Sequence, residues 1–212
     1  MNQPRISIIS MGPGSPGLLT ARARRALETI DLAVGAPRLT QGLTVPCYSP
    51  EPLISGTIEY IRSHPDKLIG VLVSGDAGFY SLSRAIVAAF GRKSVTVIPG
   101  VSVVQAAFAA IAEPWQEARF FSVHGREAVL NIPAIMASER FLVLCDGSHN
   151  PRAILERYPR LLEYFDLWSM SNLSLDNEMI VPVTRETVIP EDPLSCVVGI
   201  KKEKENHIDG EQ

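Results

Sequence analysis

Three short stretches in the first half of the chain carry residue types suited to holding a small ligand. The first, Gly12-Pro13-Gly14-Ser15-Pro16-Gly17-Leu18-Leu19-Thr20, follows an apolar run from Ile6 to Met11. It satisfies G-x-G-x-x-G, the spacing that lets a backbone approach the pyrophosphate of a dinucleotide. Two details oppose that use. Pro13 and Pro16 remove N–H groups that a pyrophosphate needs as donors, and the acid roughly 20 residues on, Asp31, precedes the next strand instead of ending it. No Gly-Lys-Ser/Thr follows, which excludes a nucleoside triphosphate loop, and a tight strand-to-helix turn would account for these glycines and prolines with no ligand at all.

The second stretch, Ser74-Gly75-Asp76-Ala77-Gly78-Phe79-Tyr80, sets a carboxylate between two glycines that permit close backbone approach. A plain helix cap at Asp76, worth ~1 kcal/mol, is the competing account. The third, Pro99-Gly100-Val101-Ser102-Val103, brings a hydroxyl and helix-start amides; Ser102 with Gln105 forms a capping box, and capping alone would explain it.

These stretches need a scaffold that gathers them. From Arg5 to about residue 115 short apolar runs alternate with helix-period runs, the pattern of βαβ units around a mostly parallel sheet. Strands are expected at Ile6–Met11, Leu32–Val34, Leu68–Ser74 and Val95–Ile98, and helices after Thr20, at Leu53–Ser63, at Ser81–Phe90 and after Ser102. In the first helix Leu19, Ala23, Ala26, Leu27 and Ile30 share one face and Arg22, Arg24, Arg25 and Glu28 the other. In an open α/β sheet ligands sit beyond the carboxyl ends of the strands, which is where all three stretches fall.

Beyond Pro114 the texture shifts to strands separated by shorter helices. Ala118–Val123, Arg140–Cys145, Phe165–Ser169, Met179–Thr184 and Cys196–Ile200 read as strands, and Asn150 caps a helix with Pro151 at its first position. The expected organisation is a domain over 1–114, a second over 115–201 and a polar, frayed tail from Lys201 or Lys202 to Gln212.

With 212 residues, 46% of them hydrophobic, the chain can bury a substantial core. Its net charge of -3 comes from nearly balanced acids and bases, which argues against nucleic acid as a partner. No apolar run approaches a membrane span and no targeting segment is evident, so the chain is expected to be cytoplasmic with no membrane association. Cys47, Cys145 and Cys196 are widely spaced and the four histidines form no ligand pair, so no metal site is signalled and each thiol is expected to be buried and inert.

Taken in order, GPGSPGLLT, SGDAGFYS and IPGVSVVQAAFA, each following a strand, resemble the tetrapyrrole methylase family. The resemblance implies an α/β fold of two domains with S-adenosylmethionine bound in the cleft between them, and S-adenosylhomocysteine as product. Gly78-Phe79-Tyr80-Ser81, Ile98 to Gln105, Glu113-Pro114-Trp115, Ser122-Val123-His124-Gly125-Arg126, and Ser171-Asn172-Leu173-Ser174 with Asn177-Glu178-Met179-Ile180 look like the branch that methylates carbon 5 of precorrin-7 or its cobalt form. Two positions depart from the pattern: Ala77 stands where the family usually has Pro, and Ser171 where the branch usually has Glu.

The resemblance places Pro13, Ser74, Gly75, Asp76, Phe79, Ser102 and Val103 around the cofactor, closed from the other domain by Asp146 and Leu173. Asp76 is the candidate to stabilise the sulfonium and His124 the candidate base, with a backbone-bonded loop histidine as the alternative. A corrin precursor carries many carboxylates, so cations are expected around it: Arg126 first, then Arg38 and Arg84, each otherwise a solvated surface arginine. Further expectations are a homodimer and a separate partner protein for carbon-15 methylation and decarboxylation. Two alternatives stay open: a family member with another acceptor, the ribosomal RNA branch being disfavoured by charge, and a nucleotide-binding module that kept the fold.

Overall fold

The computed structural model describes residues 5–123 and 129–203. Contacts divide the chain into two units, Met1–Ala106 and Ala107–Gln212, a division that falls inside a helix and short of Pro114.

In the first unit the elements are β1 (Arg5–Ser10), α1 (Ala21–Leu27), β2 (Leu32–Val34), α2 (Pro37–Thr40), β3 (Cys47–Tyr48), α3 (Leu53–Ser63), β4 (Leu68–Val73), α4 (Ser83–Phe90), β5 (Val95–Ile98) and α5 (Val103–Ala110), the last running across the division. The five strands form one sheet in the order β3-β2-β4-β1-β5, every pairing parallel. β4 is a near-continuous apolar run because both faces of a parallel sheet are covered, and beside it β1 buries Ile6, Ile8 and Ile9. Alternate residues feed two cores. Ile6, Ile8 and Val71 pack with Ile61 of α3 and Ile86 of α4, while Ile9, Leu72 and Ile98 pack with Ala23 of α1 and Ile30. The apolar face read for α1 is the one it buries, and Thr20 caps that helix, its Oγ1 accepting from Ala23 N at 3.1 Å.

The second unit contains β6 (Arg119–Ser122), α6 (Ile132–Met136), β7 (Arg140–Leu144), α7 (Pro151–Arg157), α8 (Leu161–Tyr164), β8 (Phe165–Ser171), β9 (Met179–Val183) and β10 (Ser195–Lys201). Its sheet runs β6-β7-β10-β8-β9, with β6 and β7 parallel and the remaining pairs antiparallel. The carboxyl ends of β6, β7 and β8 therefore share one edge. Phe141 and Phe165 meet edge to face at 5.0 Å in the core, and Phe141 lies so close over Gly199 that a Cβ there would come within 2.2 Å of the ring. Asn150 caps α7 as read, its side chain accepting from Ala153 N at 2.9 Å. The expected tail starts later than Lys201: that residue closes β10, and Lys202 N donates to Tyr164 O. Residues 204–212 lie outside the described residues.

Cys145 and Cys196 are buried, but Cys47 is exposed, contrary to the reading of all three as interior thiols. It belongs to the two-residue edge strand β3, which has no cover. Burial raises the Cys145 thiol and pushes Cys196 up to about 12. Both stay protonated near neutrality, and burying them becomes destabilising only above the ordinary thiol range, where the unfolded chain ionises first, for Cys196 up to about 12. A thiol reagent at neutral pH is therefore expected to modify Cys47 alone in the native protein and all three thiols after denaturation, counted by intact mass.

Among the described residues no helix is long and apolar enough to cross a membrane, and no group of three or more His, Cys, Asp or Glu is placed to hold a metal ion.

Candidate functional site

β4, β1 and β5 are adjacent in the first sheet, so the loops that follow them leave side by side from its carboxyl edge. They are bonded to one another. Past the last strand pair the β1 and β4 loops continue as a two-residue bridge: Gly12 N donates to Gly75 O at 3.2 Å and Gly75 N to Gly12 O at 2.8 Å. Both glycines have positive φ, +73° and +62°, a conformation that costs other residues about 1–2 kcal/mol.

Asp76 ties the second loop to the third. Its Oδ1 accepts from Gly78 N and its Oδ2 from Gly100 N, both at 2.8 Å. It does not cap α4, whose N-cap Leu82 makes no side-chain cap bond. With one amide on each oxygen, the carboxylate holds the geometry of two loops while keeping a lone pair on each. Gly100 in turn lies against the backbone: a Cβ there would stand 2.5 Å from Ser10 Cβ and 3.0 Å from Gly75 O.

Ser10, fully buried at the end of β1, accepts from Ala77 N at 2.9 Å. The departure from Pro at position 77 thus supplies a donor that proline lacks. Ser81 Oγ and Ser83 Oγ both donate to Ala77 O, closing the turn. Ser10, Thr20 and Gly100 went unmarked as site residues in the sequence, although a serine closing an apolar strand just before a glycine loop is a visible signal for the first. Thr20 Oγ1, besides capping α1, reaches Pro99 O at 3.5 Å.

The structure thus gathers Pro13, Gly75, Asp76, Ser102 and Val103 on connected loops, with Ser74 and Phe79 in the same β4 loop. The capping box of α5 forms as read: Ser102 N donates to Gln105 Oε1 at 2.7 Å, and Ser102 Oγ accepts from Val104 N at 3.0 Å. Asp31 sits at the opposite, amino end of its strand, where Oδ2 accepts from Leu68 N at 2.7 Å. It pins β2 to β4 and is not placed to receive a ribose. Arg38 on α2 and Arg84 on α4 are exposed and lie just past the carboxyl ends of β2 and β4.

In the second unit Asp146 follows β7 and Leu173 follows β8, so the shared edge brings both together with the amino end of β10. Asp146 Oδ1 accepts from Ser148 N at 2.9 Å and His149 N at 2.7 Å, and lies 3.2 Å from His149 Nδ1. Leu173 is buried, between Asn172 and Ser174, both at positive φ. Asn172 Nδ2 donates to Asp192 Oδ2 at 2.6 Å. Ser171, at the position where the resembled branch usually has Glu, is buried in the β8–β10 pairing and offers no carboxylate. His124 and Arg126, the candidate base and the first substrate arginine, lie outside the described residues.

Several solved structures share this fold. The chain aligns with a precorrin-6Y methylase of Archaeoglobus fulgidus at a TM-score of 0.74, 17% identity, covering 94% of this chain and 98% of the other. It aligns with a uroporphyrin-III C-methyltransferase of Thermus thermophilus, complexed with S-adenosyl homocysteine, at 0.72, 19% identity, covering 92% and 96%. Identities this low speak to the fold. The sequence settles the family: residues 5–189 match the model of the tetrapyrrole (corrin/porphyrin) methylases, and the chain belongs to that family of methyltransferases. It is similar to the cobalt-precorrin-7 C(5)-methyltransferase of Salmonella typhimurium, 29% identical over 182 residues, covering 82% of this chain and 88% of the relative. A probable cobalt-precorrin-7 C(5)-methyltransferase of Methanocaldococcus jannaschii is 26% identical over 191 residues, covering 82% and 87%.

Proposed function

We propose that this protein transfers the methyl group of S-adenosylmethionine to carbon 5 of precorrin-7 or cobalt-precorrin-7 in cobalamin biosynthesis. The observation that carries the reading is the pair of inter-loop ties, Gly12 to Gly75 and Asp76 to Gly100, which join the three loops whose residues resemble the family's cofactor segments. The similarity to relatives named for the carbon-5 reaction, at 29% and 26% identity over most of both chains, supports the choice of acceptor.

The local chemistry fits such a donor. A Cβ on Gly75 would fill the space 3.7 Å from Ser102 Cα and 3.8 Å from Val103 N, so glycine keeps a main-chain approach open there. Pro13, Ser74, Phe79, Ser102 and Val103 would line the donor, with Asp76 as a positioning residue through the loops it joins. When bound, S-adenosylmethionine would supply an electrophilic methyl group, which the acceptor's ring carbon could take from sulfur with loss of a proton. The protein's main task is alignment, which can contribute roughly 7–11 kcal/mol. His124 is the proposed acceptor of that proton, and Arg126, Arg38 and Arg84 the proposed cations for the acceptor's carboxylates. A cytoplasmic homodimer, working beside a separate protein that completes the carbon-15 chemistry, belongs to the same reading.

Incubation with S-adenosylmethionine and purified precorrin intermediates tests it. Mass analysis is expected to show one added methyl group on precorrin-7 or its cobalt form, located at carbon 5 by carbon-13 labelling. Addition at another carbon, or to a different intermediate, would reject the acceptor.

A further inference from the structure

The second unit contains a small cavity, about 230 Å³, beyond the carboxyl ends of β6 and β7. Its floor is apolar, formed by Val123, Leu130 and Ile154, each nearly or fully buried. Its rim is polar: Ser148, His149 and Arg157 line it. The volume lies below the roughly 300–1,000 Å³ of pockets that enclose a drug-sized ligand. A short alkyl chain suits a cavity of this size better than a whole macrocycle.

The rim selects what that chain carries. Asp146 fixes His149 from both backbone and ring: its Oδ1 takes His149 N at 2.7 Å and stands 3.2 Å from Nδ1, which leaves Nε2 as the ring atom turned to other partners. Arg157 makes no ion pair among the described residues; its guanidinium lies 5.5 Å from the Tyr158 ring centroid, an aromatic shelf that orients a planar cation. An apolar floor under an oriented guanidinium and an imidazole suits a carboxylate on a short methylene arm.

We infer that this cavity anchors one carboxylate-bearing side arm of the methyl acceptor, with Arg157 and His149 as the residues that recognise it. The inference rests on the proposed corrin acceptor for the identity of the arm, but not for the chemistry of the cavity. Two measurements keep the two apart. In the first, glutarate is titrated into the full-length protein while the imidazole nitrogen resonances of His149 are followed. Saturable shifts are expected in the wild type, weakened about tenfold in Arg157→Met and by less in Arg157→Lys, which keeps the charge but not the planar fork, with no shift on adding the uncharged diamide.

In the second, Arg157→Met is expected to raise KM for the corrin acceptor about tenfold while the affinity for S-adenosylhomocysteine and the unfolding midpoint stay at wild-type values. An unresponsive His149, or equal shifts in wild type and Arg157→Met, overturns the anchor whatever the acceptor is. Parallel loss of cofactor and acceptor binding also overturns it, since that is the signature of a structural role. If glutarate behaves as expected but no corrin precursor is methylated, the proposed acceptor is wrong and the carboxylate site stands.

Discussion

Gly100→Ala is expected to destabilise the protein by about 1–3 kcal/mol and to weaken S-adenosylhomocysteine binding about tenfold or more. The methyl group it adds has nowhere to go. Ser10 Cβ would lie 2.5 Å away and Gly75 O 3.0 Å away, and both belong to the framework of the sheet edge. Relief requires the β5 loop to lift from the β1 and β4 ends. That movement stretches the bond from Gly100 N to Asp76 Oδ2 and shifts Ser102 and Val103 along with it. Urea unfolding and calorimetric titration read the two effects. Wild-type values for both would mean that the third loop is not held in this position.

Asp76→Ala should have a comparable effect by a different route. It removes the acceptor for two backbone amides, Gly78 N in an exposed bond and Gly100 N in a half-buried one, each worth about 0.5–1.5 kcal/mol net. Asp76→Asn keeps one oxygen acceptor and should lose about half as much. The variants also separate two roles for the carboxylate. If Asp76 acts by positioning loops, Asp76→Asn weakens S-adenosylmethionine and S-adenosylhomocysteine equally. A loss confined to the positively charged donor would show instead that the carboxylate faces the sulfonium directly.

Much of the first unit was readable because its sheet is buried on both faces. The isoleucine-rich stretch Ile6–Met11, interrupted by Ser7 and Ser10, and the apolar run at Leu68–Ser74 read as central strands, and the structure ends them at Ser10 and Val73. The helix at Leu53–Ser63 agrees at both ends because a proline precedes it and its apolar spacing is regular. β3 escaped notice since two exposed residues, Cys47 and Tyr48, carry no alternation, and its exposure also makes Cys47 the thiol that departs from expectation. α2, α6 and α8, of four or five residues, are too short to show a helical period.

The site was legible as a set of loops and less so as a set of roles. Glycine and proline at strand ends announce turns, and the order of strands then places the turns together; no local pattern announces that Asp76 would bond to Gly100 across 24 residues. Asp146 was marked by resemblance, yet its partner His149 was passed over, because a histidine three residues after an acid is unremarkable until the loop folds the two onto one oxygen.

Backbone amide hydrogen exchange, measured with and without S-adenosylhomocysteine, reaches the central claim most directly. Slower exchange should appear together in residues 11–20, 74–80 and 99–105 when the ligand binds, because three loops bonded into one edge order as a unit. Ligand binding that leaves any one of those segments unprotected, or protects only regions elsewhere in the chain, would contradict it.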